Sequence, residues 1–188
     1  TLNEAKCDIW PGVAKGAGMV ASTQPYYRST YVFVTRAGDA LDKLTLDDPR
    51  LKTAAIGVQL IGNDSMNTPP AHAVANRGII DNVRGFMLYG DYERPNPPSA
   101  IIEAVENKAI DVALAWGPLA GYFAQKSPVA LRLEPITPAA DPRWPMKFGV
   151  AVGVRRSETA LVDQINAALA REIPRIDAIL TAYHVPLG

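Results

Sequence analysis

The chain has 188 residues, 48% of them hydrophobic and 20% charged, the composition of a globular protein large enough for one domain or two small lobes. Lys plus Arg and Asp plus Glu number 19 each, so no net field favours nucleic acid or an anionic membrane surface. Apolar runs such as Val150 to Val154 fall far short of the roughly 20 residues that span a bilayer, which argues against membrane insertion.

In chain order, Thr1 to Lys6 read as the tail of a helix, and Cys7 to Val13 as a short strand running into a turn. The start at Thr1, with neither Met nor a leader, is read as that of a mature or truncated product. Cys7 is the single cysteine, so no disulfide framework exists; it is either an inert buried thiol or one half of a pair whose other half lies in a missing segment. Ala14 to Gly18, with two glycines, is a loop. Pro25 to Arg36 is the longest run of aromatic and β-branched residues, and it reads as a strand that leaves one domain and enters another. Leu46 to Leu51 gives one short helical turn with acidic residues at the positive end of its dipole.

An alternating series follows. Ala54 to Gln59 is a buried strand, Asn67 or Thr68 caps a helix with Pro69 at its first position, and Val83 to Leu88 is a second strand. Asn96-Pro97-Pro98-Ser99 starts a helix whose face carries Ile101, Ile102 and Val105, and Ile110 to Trp116 is a third strand. Gly117-Pro118 breaks that strand and opens a helix over Leu119 to Gln125. This order predicts a parallel sheet with ligands at the carboxyl ends of its strands, here Gln59 to Ser65, Tyr89 to Tyr92 and Trp116 to Pro118. Leu131 to Pro135 is an edge strand, Ile136 to Pro145 a connection outside the core, and Phe148 to Val154 a second strand strong enough to cross between domains. Two helices close the chain, one with Leu161, Ile165, Ala168 and Leu169 on one face, the other starting at Pro174 and repeating Ile176, Ile179, Leu180 and Tyr183.

These elements, with the blocks Pro25-Tyr26-Tyr27-Arg28-Ser29-Thr30-Tyr31-Val32-Phe33-Val34, Ile56-Gly57-Val58-Gln59-Leu60-Ile61-Gly62, Asn67-Thr68-Pro69-Pro70-Ala71-His72-Ala73, Tyr89-Gly90-Asp91-Tyr92 and Ala115-Trp116-Gly117-Pro118-Leu119-Ala120-Gly121-Tyr122-Phe123, resemble type 2 periplasmic solute-binding proteins. Within that fold they resemble the MoxJ/XoxJ-type group, binding proteins encoded with quinoprotein methanol dehydrogenases. The resemblance implies an α/β protein of two lobes: residues 1–31 and 148–188 forming lobe 1, which lacks a strand-helix-strand at its start, and residues 32–147 forming lobe 2. It also implies that Cys7 pairs with a cysteine of the missing segment, and that the uncovered faces of Cys7 to Val13, Phe148 to Val154 and the closing helices leave an apolar concavity or drive self-association. A periplasmic location, a non-enzymatic role, no cofactor and a methanol dehydrogenase partner follow in the same way. The alternative is a receptor that delivers a small molecule to a membrane transporter.

Ordinary amino-acid receptors of this fold grip the ligand carboxylate with an Arg in an early loop and its amino group with an acidic residue at a lobe-2 strand end. Here the loop Gly12 to Gly18 holds only Lys15, and the acidic position is occupied by Trp116. Each lost charge-assisted hydrogen bond is worth about 1.5–3 kcal/mol, so a free amino acid is a poor ligand. The candidate ligand or partner cleft comprises Tyr26, Gln59, Gly62, Asp64, Ser65, Tyr92 and Trp116, and the candidate hinge Ser29, Thr30, Tyr31, Phe148 and Gly149.

Each candidate has a plainer reading. Trp116 either lines the cleft or packs in a core. Gly62, Asn63, Asp64 and Ser65 suit an anion held by backbone N–H groups, and equally a simple turn. His72 has no second ligand at metal spacing, His184 reads as a surface residue near a helix end, and Asp91 with Glu93 is too sparse a set of oxygens for a hard cation. No nucleophile, triad order or phosphate-cradling glycine motif is present, so the sequence supports neither an enzyme nor a cofactor site.

Overall fold

A computed structural model describes residues 2, 4, 6–61, 67–88, 97–138 and 143–188. The chain divides into two compact units: Thr1–Ser29 with Phe148–Ala182 and Leu187–Gly188, and Thr30–Lys147 with Tyr183–Pro186. Tyr183–Pro186 group with the second unit, where the sequence assigns them to lobe 1.

The second unit is built on β3 (Tyr27–Arg36), β4 (Ile56–Leu60), β5 (Val83–Met87), β6 (Val112–Trp116) and β7 (Leu131–Pro135), in the order β7-β3-β6-β4-β5. β4 runs parallel to β5 and β6, as the alternating series predicts. β3 is antiparallel to both β6 and β7, so the sheet is mixed and not wholly parallel. The reason is connectivity: β3 enters from outside the series, and no helical crossover fixes its direction relative to β6.

Both faces of this sheet are covered. Val32, Phe33 and Val34 are all fully buried, and alternation sends Phe33 to one core and its two neighbours to the other. On the first face Phe33 joins Leu46, Leu51, Ile56 and Leu114 beneath α1 (Pro69–Ala75). On the second, Val32, Val34, Ala113 and Ala115 pack with Ile101, Ile102 and Val105 of α2 (Ala100–Glu106) and Ala120 of α3 (Gly117–Lys126). Ile136 is fully buried in the first core and Trp144 packs against it, so the stretch Ile136 to Pro145, read as a connection, contributes to the core. Side chains then fix the loops: Arg36 donates to the carbonyls of Val105 (2.6 Å) and Ile110 (3.1 Å), and Asp111 accepts the Ala55 N–H at 2.8 Å. Asn82 donates to the carbonyls of Leu51 (2.8 Å) and Ala54 (2.5 Å), tying the 3-10 turn Pro49–Lys52 to the start of β5.

In the first unit β1 (Trp10–Ala14) and β2 (Ala21–Ser22) both pair antiparallel with β8 (Lys147–Val154). Among the described residues before β1, Leu2 and Glu4 lie in turns and Lys6 and Asp8 in bends, where the sequence suggests a helix tail over Thr1 to Lys6. Arg155 anchors them by donating to the Cys7 carbonyl at 3.0 Å and to Asp8 at 2.8 Å, while also pairing with Glu158. α4 (Thr159–Ala182) is one continuous helix with Pro174 inside it, which corrects the expectation of two helices. An interior proline costs about 3 kcal/mol through a lost hydrogen bond and a clash with the carbonyl four residues earlier. Ala170 and Pro174 are both exposed, so that carbonyl can bond to water, and the apolar repeat runs on from Leu169 through Ile176 to Leu180. Of α4 only Leu180 is buried; Ile173 and Ile179 are exposed, as are Ile9, Trp10 and Met19 of the same unit.

Candidate functional site

The site described best lies in the second unit, at the carboxyl ends of β4 and β6. Gln59 is the fourth residue of β4 and only 1% exposed. Its side-chain Oε1 accepts the Trp116 backbone N–H at 2.9 Å, and its backbone carbonyl accepts the Thr68 hydroxyl at 2.6 Å. Thr68 therefore caps α1 without a side-chain bond to the helix, spending its hydroxyl on the end of β4 instead. Trp116 ends β6 in an extended conformation, and Gly117 and Pro118 begin α3 directly after it. Strand register sets Tyr31 opposite Trp116, and the two rings meet edge to face with centroids 5.1 Å apart.

This cluster carries no charge. The half-buried indole of Trp116 leans on the phenol of Tyr31. Gln59 has a second consequence: its Nε2 is buried with no hydrogen-bond partner among the described residues. An amide donor in that condition invites an acceptor.

The remaining candidates distribute as follows. Tyr26 lies in the first unit, its ring 5.1 Å from that of Tyr27, and its N–H donates to the Val150 carbonyl at 2.9 Å. Gly62, Asp64, Ser65 and Tyr92, with Asn63, Asp91 and Glu93, lie outside the described residues. Of the hinge candidates, Ser29 and Thr30 are buried, and the Thr30 hydroxyl and Tyr31 N–H both donate to the Met146 carbonyl, at 3.1 and 2.9 Å. A Cβ at Gly149 would sit 2.8 Å from Pro25 Cγ, so that position admits only glycine without movement. Tyr31 was singled out as a hinge residue; its place beside Trp116 was legible only from strand register. The sequence offers Asn67 or Thr68 as the cap of α1 and carries no signal for the bond from Thr68 to Gln59.

Lys15, the one base of the early loop, donates to the carbonyls of Ser22 (3.2 Å) and Thr23 (2.8 Å). It is thus held by its own unit's backbone. His72 stacks on Trp144 with centroids 4.0 Å apart, Cys7 is exposed and unpaired, and the described residues contain no cluster of three or more His, Cys, Asp or Glu that would hold a metal. Among them no helix is long and apolar enough to cross a membrane.

Burial raises the Tyr26 hydroxyl pKa, and burial first, then proximity to Tyr26, pushes Tyr27 up to about 12. The folded state holds that proton more tightly than an unfolded chain, whose tyrosines ionise near 10. The stabilisation is therefore complete below about pH 10 and is lost as pH rises towards 12. An ultraviolet tyrosinate titration is expected to show one late component that Tyr27→Phe removes; a single ordinary transition would contradict it.

No family model matches the chain. Among curated proteins it is 33% identical to Protein MoxJ of Methylorubrum extorquens over 198 residues, an alignment covering 99% of this chain and 64% of MoxJ. It thus spans somewhat less than two thirds of that relative's length. Among solved structures, periplasmic binding protein XoxJ from Methylobacterium extorquens AM1 superposes with a TM-score of 0.78 at 32% identity, covering 98% of this chain and 77% of XoxJ. MxaJ from Methlophaga aminisulfidivorans MPT gives 0.80 at 25% identity, covering 100% and 79%.

Proposed function

This chain belongs to the MoxJ and XoxJ group of type II periplasmic binding proteins, and from that membership we propose a periplasmic, non-catalytic accessory protein of a quinoprotein methanol dehydrogenase, acting in its maturation or activation by binding it. The observation that carries the reading is the uncharged strand-end cluster of Gln59, Trp116 and Tyr31, which lacks the ionic grip a zwitterion needs. Exposed apolar side chains of the first unit, Ile9, Trp10, Met19, Ile173 and Ile179, support a role in protein contact, including self-association. The test is co-purification with the dehydrogenase, paired with its activity assay. A complex together with raised or restored activity is expected; neither complex nor effect would overturn the proposal.

A second reading rests on Gln59 Nε2, the buried donor with no partner among the described residues. It favours a transporter receptor for a small molecule that offers a hydrogen-bond acceptor and an apolar or aromatic body, not a free amino acid. Calorimetric titration with uncharged carbonyl compounds separates the two readings, because only the receptor gives saturable heat without the dehydrogenase.

A further inference from the structure

We propose that the second unit binds a small monovalent anion, of the class of chloride, between the Thr35 hydroxyl of β3 and the Arg132 guanidinium of β7. The two residues stand directly opposite in the β3–β7 register, so their side chains leave the same face of the sheet with Cβ atoms about 4.5–5.5 Å apart. That face is the one on which Phe33 enters the first core. Thr35 is only 1% exposed, yet its hydroxyl oxygen is buried with no hydrogen-bond partner among the described residues. Arg132 Nη1 is in the same condition.

The guanidinium is held in place. Arg132 Nη2 donates at 2.7 Å to the carbonyl of Ala37, the residue just past the end of β3, which keeps the group beside the strand that carries Thr35. Arg132 makes no ion pair among the described residues, because the carboxylates at this end of the sheet are engaged elsewhere. Asp39 and Asp111 pair with Arg36 at 2.5 and 3.5 Å, and Glu134, two residues along β7, accepts the Lys43 N–H at 2.8 Å.

A guanidinium nitrogen only donates, and a hydroxyl can also donate, so the species that both atoms serve is an acceptor. Water would take these bonds but leave the partly buried charge uncompensated, whereas an anion takes the bonds and balances the charge. Val112, opposite Thr35 on its other side, is fully buried, as is Phe33, so apolar side chains flank the hydroxyl. Such walls penalise a multiply charged oxyanion and favour a halide, which gives up its water more readily. Because β7 pairs only with β3, an anion bound here fastens an edge strand to the sheet and stabilises the unit.

The test melts the full chain at constant ionic strength while chloride replaces methanesulfonate, with tryptophan fluorescence as the readout. The midpoint is expected to rise saturably, by about 3 °C or more at roughly 0.3 M chloride, and bromide should act likewise. Arg132→Met and Thr35→Val, the second nearly isosteric, are each expected to lose the rise. Crystals grown in bromide give a readout independent of the variants, an anomalous peak between Thr35 Oγ1 and Arg132 Nη1, and it decides the matter if either variant fails to fold. A flat midpoint in the unaltered protein, a rise that either variant retains, or density at the site without anomalous signal, the mark of water, overturns the proposal.

Discussion

Phe33→Ala is expected to destabilise the second unit by about 3–5 kcal/mol, the range for deleting a buried aromatic ring and leaving a cavity. Phe33 is fully buried at the middle of β3, among Leu46, Leu51, Ile56 and Leu114, and β3 is flanked on both sides by β6 and β7. Neighbours on three elements would have to move together to fill the void, so relaxation recovers little of the loss. A unit of this size is stable by only about 0.05–0.15 kcal/mol per residue, so the change removes a large share of the total. The melting transition should fall by roughly 10–20 °C. Fluorescence reports it through Trp116 and Trp144, which both belong to this unit. A loss below about 1 kcal/mol would mean that this face of the sheet is not a sealed layer.

The same strand shows why some of the fold is legible in the sequence. A dense β-branched and aromatic run bounded by turn residues leaves no competing helical reading, and Tyr27–Arg36 is the strand it implies. The alternating series from Ile56 to Lys126 is legible for the same reason, since prolines and glycines mark each boundary. Direction is not encoded so locally: nothing in Tyr27–Arg36 says that it lies antiparallel to Val112–Trp116, because that depends on where the rest of the chain goes. Pro174 misleads for the opposite reason. A local rule assigns it a helix start, and a continuous apolar stripe overrides the rule where the broken hydrogen bond faces water. At the candidate site Gln59 and Trp116 are legible as strand ends, whereas the bond between them, spanning 57 positions of sequence, follows only from the pairing of β4 with β6.

Gln59→Leu tests that bond. Leucine nearly matches the volume but removes the acceptor of the Trp116 N–H, and an orphaned buried donor costs about 1–3 kcal/mol. The substitution also removes Nε2, itself a buried donor with no partner among the described residues, which offsets part of the loss. The net cost should therefore fall in the lower half of that range, about 1–2 kcal/mol. Its signature is local: the Trp116 amide should exchange with solvent markedly faster, while amides of Val112 and Ala113, earlier in β6, keep their protection. Because Trp116 leads straight into α3, and its ring is set by Tyr31, loosening it should also weaken whatever the cluster binds. If the cluster contacts the dehydrogenase, affinity should fall about tenfold or more, the mark of an aromatic anchor displaced at the centre of an interface. Unchanged Trp116 exchange would show that Gln59 does not hold the strand end; faster exchange with unchanged affinity would remove the cluster from the binding surface.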